Sequence, residues 1–158
     1  MKARKPRSET VGERFVEKFP EVQYQFVQFF SDHLIDCCRT FGGDMQEVVV
    51  LAVLGQHHLQ NTHRIYPTAN ARTSEASIAA SRIADVLGMS RETVRRKLKL
   101  LAARGWVRQT ETGAWELVGE VGDEAARNDL EGLSMRNMER LARLYVGLEK
   151  LVGAPRSN

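Results

Sequence analysis

The sequence predicts a mainly α fold carrying one small β-hairpin, on three observations. Residues 77–104 give a short amphipathic helix, a glycine turn and a second helix crowded with arginine. Directly after them, two strand-like runs at 106–109 and 114–117 flank the turn Glu111-Thr112-Gly113. Apolar residues at helical spacing then recur on both sides of this segment, over 15–59 and 123–152.

In the first helix of the pair, over 80–87, Ile83, Ala84, Val86 and Leu87 form the expected apolar stripe while Arg82 and Asp85 face away. Ala84 is small enough to let the next helix approach closely. Gly88 follows where a left-handed residue must close the helix. Ser90 stands as N-cap before Arg91-Glu92-Thr93, so a second helix starts at Arg91. Its inner face is Val94, Leu98, Leu101 and Ala102, and its outer face Glu92, Arg95, Arg96 and Lys99. Gly105 ends it, and Gly113 supplies the positive φ that a hairpin turn requires. Helix, tight turn, helix and hairpin in this order describe a winged helix-turn-helix over 77–118. Flanking N- and C-terminal helices would serve as scaffold and dimerisation elements.

Charge points the same way. Between residues 76 and 109 eight cations (Arg82, Arg91, Arg95, Arg96, Lys97, Lys99, Arg104 and Arg108) face only Asp85 and Glu92, whereas the whole chain carries a net +3. A positive field focused on one module is the footprint of a phosphate-contacting surface, so the expected partner is double-stranded DNA. The competing reading is a solvated face, or a winged helix used as a protein-interaction or structural module whose arginines meet an acidic partner.

The run Ser90-Arg91-Glu92-Thr93-Val94-Arg95-Arg96 resembles the start of the recognition helix in the catabolite activator (cyclic-AMP receptor) family. That resemblance implies base contacts by Arg91, Glu92 and Arg96, and Arg95 joins them as a candidate on the same face. The chemistry fits: arginine pairs with guanine O6 and N7 in bidentate fashion, and glutamate accepts from the cytosine amino group. Ser90, Thr93, Lys97, Lys99 and Arg108 are the candidate phosphate contacts. The resemblance covers about 40 residues and omits any cyclic-nucleotide β-roll, and Ala79 replaces the usual capping hydroxyl residue. The order of flanking helices, winged unit and long closing helix is similar to the multiple-antibiotic-resistance regulator (MarR) family.

At 158 residues, 42% hydrophobic and 27% charged, the chain is ordinary globular material. Residues 1–14 read as a basic disordered arm, with a minor-groove contact as the sharper alternative. Residues 15–59 read as scaffold helices. Phe26, Phe29, Phe30, His33, Leu34, Cys37 and Phe41 make one apolar face, which either packs in the core or lines a small-ligand pocket. Gly42-Gly43 break that helix and Asp44 caps the next. Residues 60–76 are polar and breaker-rich, a loop.

Residues 119–158 read as an acidic link and a C-terminal helix in which Leu141, Leu144, Leu148 and Leu151 alternate three and four apart, a dimerisation seam. A homodimer would set two readers in successive major grooves about 34 Å apart, and a small-molecule effector could act by altering that separation.

His33, Cys37 and Cys38 are sensor candidates, but no C-x-x-C or H-x-x-x-H pair enforces a metal geometry, so no metal or other cofactor is expected. With no phosphate loop and no nucleophile elbow, an enzyme is not expected. No apolar run has the length of a membrane span and no signal-peptide core opens the chain, so no membrane partner is expected and the expected location is the cytoplasm.

Overall fold

A computed structural model describes residues 6–62, 76–120 and 122–153. The fold is mainly helical with two small antiparallel two-stranded sheets. The chain divides into two compact units. One comprises the residues up to Asp36 and those from Leu133 onward, the other Cys37–Gly132.

In the first unit, α1 (Arg7–Glu17) and most of α2 (Phe19–Thr40) join α7 (Glu131–Val152). Residues 7–14, expected in an irregular arm, are the first turns of α1. Val11 and Phe15 at i, i+4 give it one half-buried face, and Arg14 pairs with Glu17 at 2.9 Å. Residues 1–5 lie outside the described residues. Pro20 sits in the first turn of α2, where a missing N–H costs nothing. The phenylalanine face is less buried than a core face should be, since Phe26 and Phe30 stack on each other at 5.8 Å yet remain 49% and 47% exposed. Cys37 and Phe41, at the far end of the same stripe, are buried. Asp36 anchors α2 to α7. Its carboxylate accepts two bonds from Arg136 (2.8 and 2.9 Å) and one from Arg140 (2.8 Å).

The second unit is built on α3 (Met45–Thr62), α4 (Ala80–Leu87) and α5 (Arg91–Ala103), which all contact one another. Asp44 caps α3, its Oδ1 accepting from the Glu47 N–H at 3.1 Å. Gly88 (φ 63°) closes α4 in the left-handed conformation, with its own N–H and that of Met89 both reaching the Ala84 carbonyl. Two residues later Ser90 Oγ accepts from the Thr93 N–H at 3.1 Å and opens α5. The core comprises Val50 and Leu54 of α3, Ile83 and Ala84 of α4, and Val94, Leu98 and Leu101 of α5. Val86, expected in that core, is 56% exposed. The inward side of α4 runs through Ala80, Ile83 and Ala84, the i, i+3, i+4 set that Val86 does not join.

Strands β1 (Val107–Gln109) and β2 (Trp115–Leu117) pair antiparallel with Val107 opposite Leu117 and Gln109 opposite Trp115. Ile78 bridges the other edge of β2 through two backbone bonds of 2.8 Å with Trp115. A single alternation of short residues carries no strand signal, which is why this third position was not legible in the sequence. A second hairpin, β3 (Gly119–Glu120) with β4 (Asp123–Glu124), and a short α6 (Ala125–Asp129) precede α7 where an acidic link was expected. Gly119 (φ 119°) permits it, since any Cβ there would meet the Asp123 carbonyl at 2.5 Å. The 60–76 loop falls mostly outside the described residues; α3 runs on to Thr62. Among the described residues, no helix is long and apolar enough to cross a membrane.

Candidate nucleic-acid interface

The cations of α5 divide into two groups by position on the helix. Arg91, Arg95, Arg96 and Lys99 are exposed, and none makes an ion pair among the described residues. Glu92 is exposed beside them, and Arg82 is an exposed cation on α4. The four candidate base readers, Arg91, Glu92, Arg95 and Arg96, therefore share the outer side of the first half of α5. Ser90 caps the helix and shares a hydroxyl contact of 2.8 Å with Thr93, which is half-buried.

The second group is occupied. Lys97, expected at a phosphate, is buried and its Nζ donates to Asp44 Oδ2 at the start of α3. Burying the ammonium without a counter-charge would cost far more than the pair does, so the lysine is fixed by its partner rather than offered to solvent. Helical spacing could have revealed this, because position 97 lies three after Val94 and four before Leu101, both on the inner face. The Lys97 hydrogen bond holds the Asp44 carboxyl below the usual carboxylate range.

Arg104, at the end of α5, donates from Nε to the buried Glu47 (3.0 Å) and lies over the rings of Trp106 and Phe41 (4.9 and 5.6 Å). Trp106 Nε1 in turn donates to Asp129 at 2.6 Å. Arg108 remains exposed but pairs across the hairpin with Glu116 at 2.7 Å. A phosphate would have to compete with that carboxylate.

The end of α3 is held by histidines. His57 Nε2 meets the Ser77 carbonyl at 3.1 Å, and His58 forms a buried 2.9 Å pair with Glu124 of β4. Burial pushes the Glu124 carboxyl up, but hydrogen bonds from the Gly122 N–H, its own N–H and His58 bring it net below the usual range. Tying α3 to both the Ile78 strand position and the second hairpin fixes the platform on which α5 rests.

The sensor candidates all lie on α2. His33 stacks on Phe29 (6.3 Å between centroids), Cys37 is buried, and Cys38 Sγ lies 3.4 Å from Met45 Sδ. Among the described residues, no three His, Cys, Asp or Glu side chains cluster as a metal would require; His63 lies outside them. Of the seam leucines, Leu144 and Leu151 line, with Phe29 and Gln25, a groove of about 580 Å³ within the first unit. Leu148 is half-buried, and Leu141 is exposed. Comparison of the chain with protein-family models, with curated proteins and with solved structures returns no match.

Proposed function

We propose that the chain is a winged helix-turn-helix transcriptional regulator that reads duplex DNA in a sequence-specific way, with α5 in the major groove and two copies acting together. One observation carries this reading. Four cations on the outer side of α5 are exposed and make no ion pair among the described residues, while Lys97 of the same helix and Arg104 at its C-cap are held by internal carboxylates. Exposed ion pairs contribute little to stability, so cations left in solvent keep their charge available to a partner without loss to the fold. A groove reader needs that charge available, since a guanidinium already held by a carboxylate must break that pair before it can engage a base.

The reading assigns base contacts to Arg91, Glu92, Arg95 and Arg96. Backbone positioning falls to Ser90, Thr93, Lys99 and Arg82, with Arg108 contributing only when Glu116 releases it. Lys97 becomes a structural residue.

Selecting bound duplexes from a random pool tests the reading directly. One motif should be enriched, and Arg91→Ala or Arg96→Ala should each lower discrimination at one motif position by about 1–3 kcal/mol. A pool in which no motif is enriched would overturn the sequence-specific reading.

A further inference from the structure

The second unit holds a pocket of about 450 Å³ to which DNA reading gives no role. It lies between α3, β2, β4 and α6, and its volume is in the range of small-molecule sites. Gly55, His58 and Leu59 stand at i, i+3 and i+4 on one side of α3. Leu117 of β2, Glu124 of β4 and Arg127 of α6 complete the lining.

Gly55 is the first sign that the space is kept open. A glycine inside a helix gives up helix propensity, and close packing by a neighbouring element is the usual reason to keep one. Here no atom of another element lies within 4 Å of the position a Cβ would take, among the described residues. Internal packing does not demand this glycine, whereas a molecule seated against α3 would.

The polar part of the lining is held in advance. His58 and Glu124 are more than nine-tenths buried, at 6 and 5% exposed. His58 Nε2 and the Gly122 N–H both meet Glu124 Oε1, at 2.9 and 3.0 Å, and Oε2 takes no donor from another described residue. The Gly122 carbonyl accepts from Arg127 Nη1 at 2.8 Å, while Nε and Nη2 meet no acceptor among the described residues. One glycine therefore tethers a carboxylate and a guanidinium that line the same pocket. The two form no ion pair with each other.

Opposite charges fixed side by side, each with hydrogen-bonding capacity left over, suit a molecule that carries both complementary charges. An α-amino acid has that pattern. Its ammonium would donate to Glu124, its carboxylate would accept from Arg127, and an apolar side chain would lie over Gly55 against Leu117 and Leu59, the last being 45% exposed. A plain organic acid would set its charge beside Glu124 and a plain amine beside Arg127, so each answers one group and is opposed by the other.

We propose that this pocket binds a free α-amino acid with an apolar side chain, clasped by Glu124 and Arg127 through its two charged groups. Binding there does not depend on the DNA-reading proposal.

Calorimetric titration of the full chain without DNA tests it, with L-leucine as the probe. L-Leucine should bind saturably, one molecule per chain. Its analogues 4-methylpentanoate, which lacks the ammonium, and 3-methylbutylamine, which lacks the carboxylate, should each bind about tenfold more weakly or worse. An analogue that binds as well as L-leucine overturns the two-charge clasp. Absence of saturable binding by L-leucine, L-methionine and L-phenylalanine overturns the proposal. Arg127→Met alters an exposed side chain and should raise the L-leucine Kd about tenfold or more with unchanged helical circular dichroism. Gly55→Leu should act alike by filling the space beside α3. A folded variant of either kind that keeps the wild-type affinity overturns the placement, and if Gly55→Leu loses its helicity, Arg127→Met alone decides.

Discussion

Lys97 and Lys99 stand two residues apart on α5 in opposite surroundings, one buried against Asp44 and the other exposed and without an ion pair among the described residues. Identical side chains should therefore fail in different ways. Lys97→Met leaves the Asp44 carboxylate without its cation and is expected to cost about 1–3 kcal/mol of stability in urea denaturation. The salt dependence of DNA binding should not change. Lys99→Met should leave stability within about 0.5 kcal/mol and reduce the slope of log affinity against log salt by about 0.9. Equal slopes for the two variants would return Lys97 to the phosphate-contacting set.

The element on which the candidate interface depends is the turn from α4 to α5. Gly88 closes one helix and Ser90 opens the next, so the angle between them is set within three residues. Gly88→Ala forces a Cβ into left-handed backbone at a cost of about 1–2 kcal/mol, although nothing lies within 4 Å of the added atom. The penalty is purely conformational. Thermal denaturation should show a lowered midpoint for Gly88→Ala and recovery in Gly88→Asn, since asparagine tolerates the left-handed region. A midpoint for Gly88→Ala at or above wild type would mean that the turn adopts another conformation.

At the scale of the whole molecule, Asp36 reaches Arg136 and Arg140, 100 and 104 residues away, and so fastens α2 to α7 within the first unit. The Arg136 hydrogen bonds, opposed by burial and aided by Arg140, hold the Asp36 carboxyl well below the usual range. Because the folded value is depressed, this stabilisation is complete above the unfolded carboxyl pKa near 4 and is lost as pH falls through the lower native value. Asp36→Asn should thus lower stability by about 2–4 kcal/mol at pH 7. The gap from wild type should close progressively below about pH 4. A gap independent of pH in urea denaturation would assign the loss to packing instead of charge.

Local chemistry made much of this protein legible. Gly88, Ser90, Gly105 and Gly113 mark boundaries through backbone preferences that act over a few residues, and the structure places helix ends and the hairpin turn at them. The exposed side of α5 was likewise readable, since helical period alone sets Arg91, Arg95 and Lys99 apart from Val94, Leu98 and Leu101. Partners distant in sequence were not readable. Asp44 with Lys97, Glu47 with Arg104, His58 with Glu124, and Asp36 with Arg136 are separated by 53, 57, 66 and 100 residues. Composition says that a lysine is basic; only packing decides whether a carboxylate already holds it. The C-terminal leucines carry the same lesson, because a three-four alternation defines an apolar stripe without saying what covers it. The fold turned Leu144 and Leu151 toward a groove shared with α2 and left Met138 and Tyr145 bare, since a helix can satisfy only one neighbour per face.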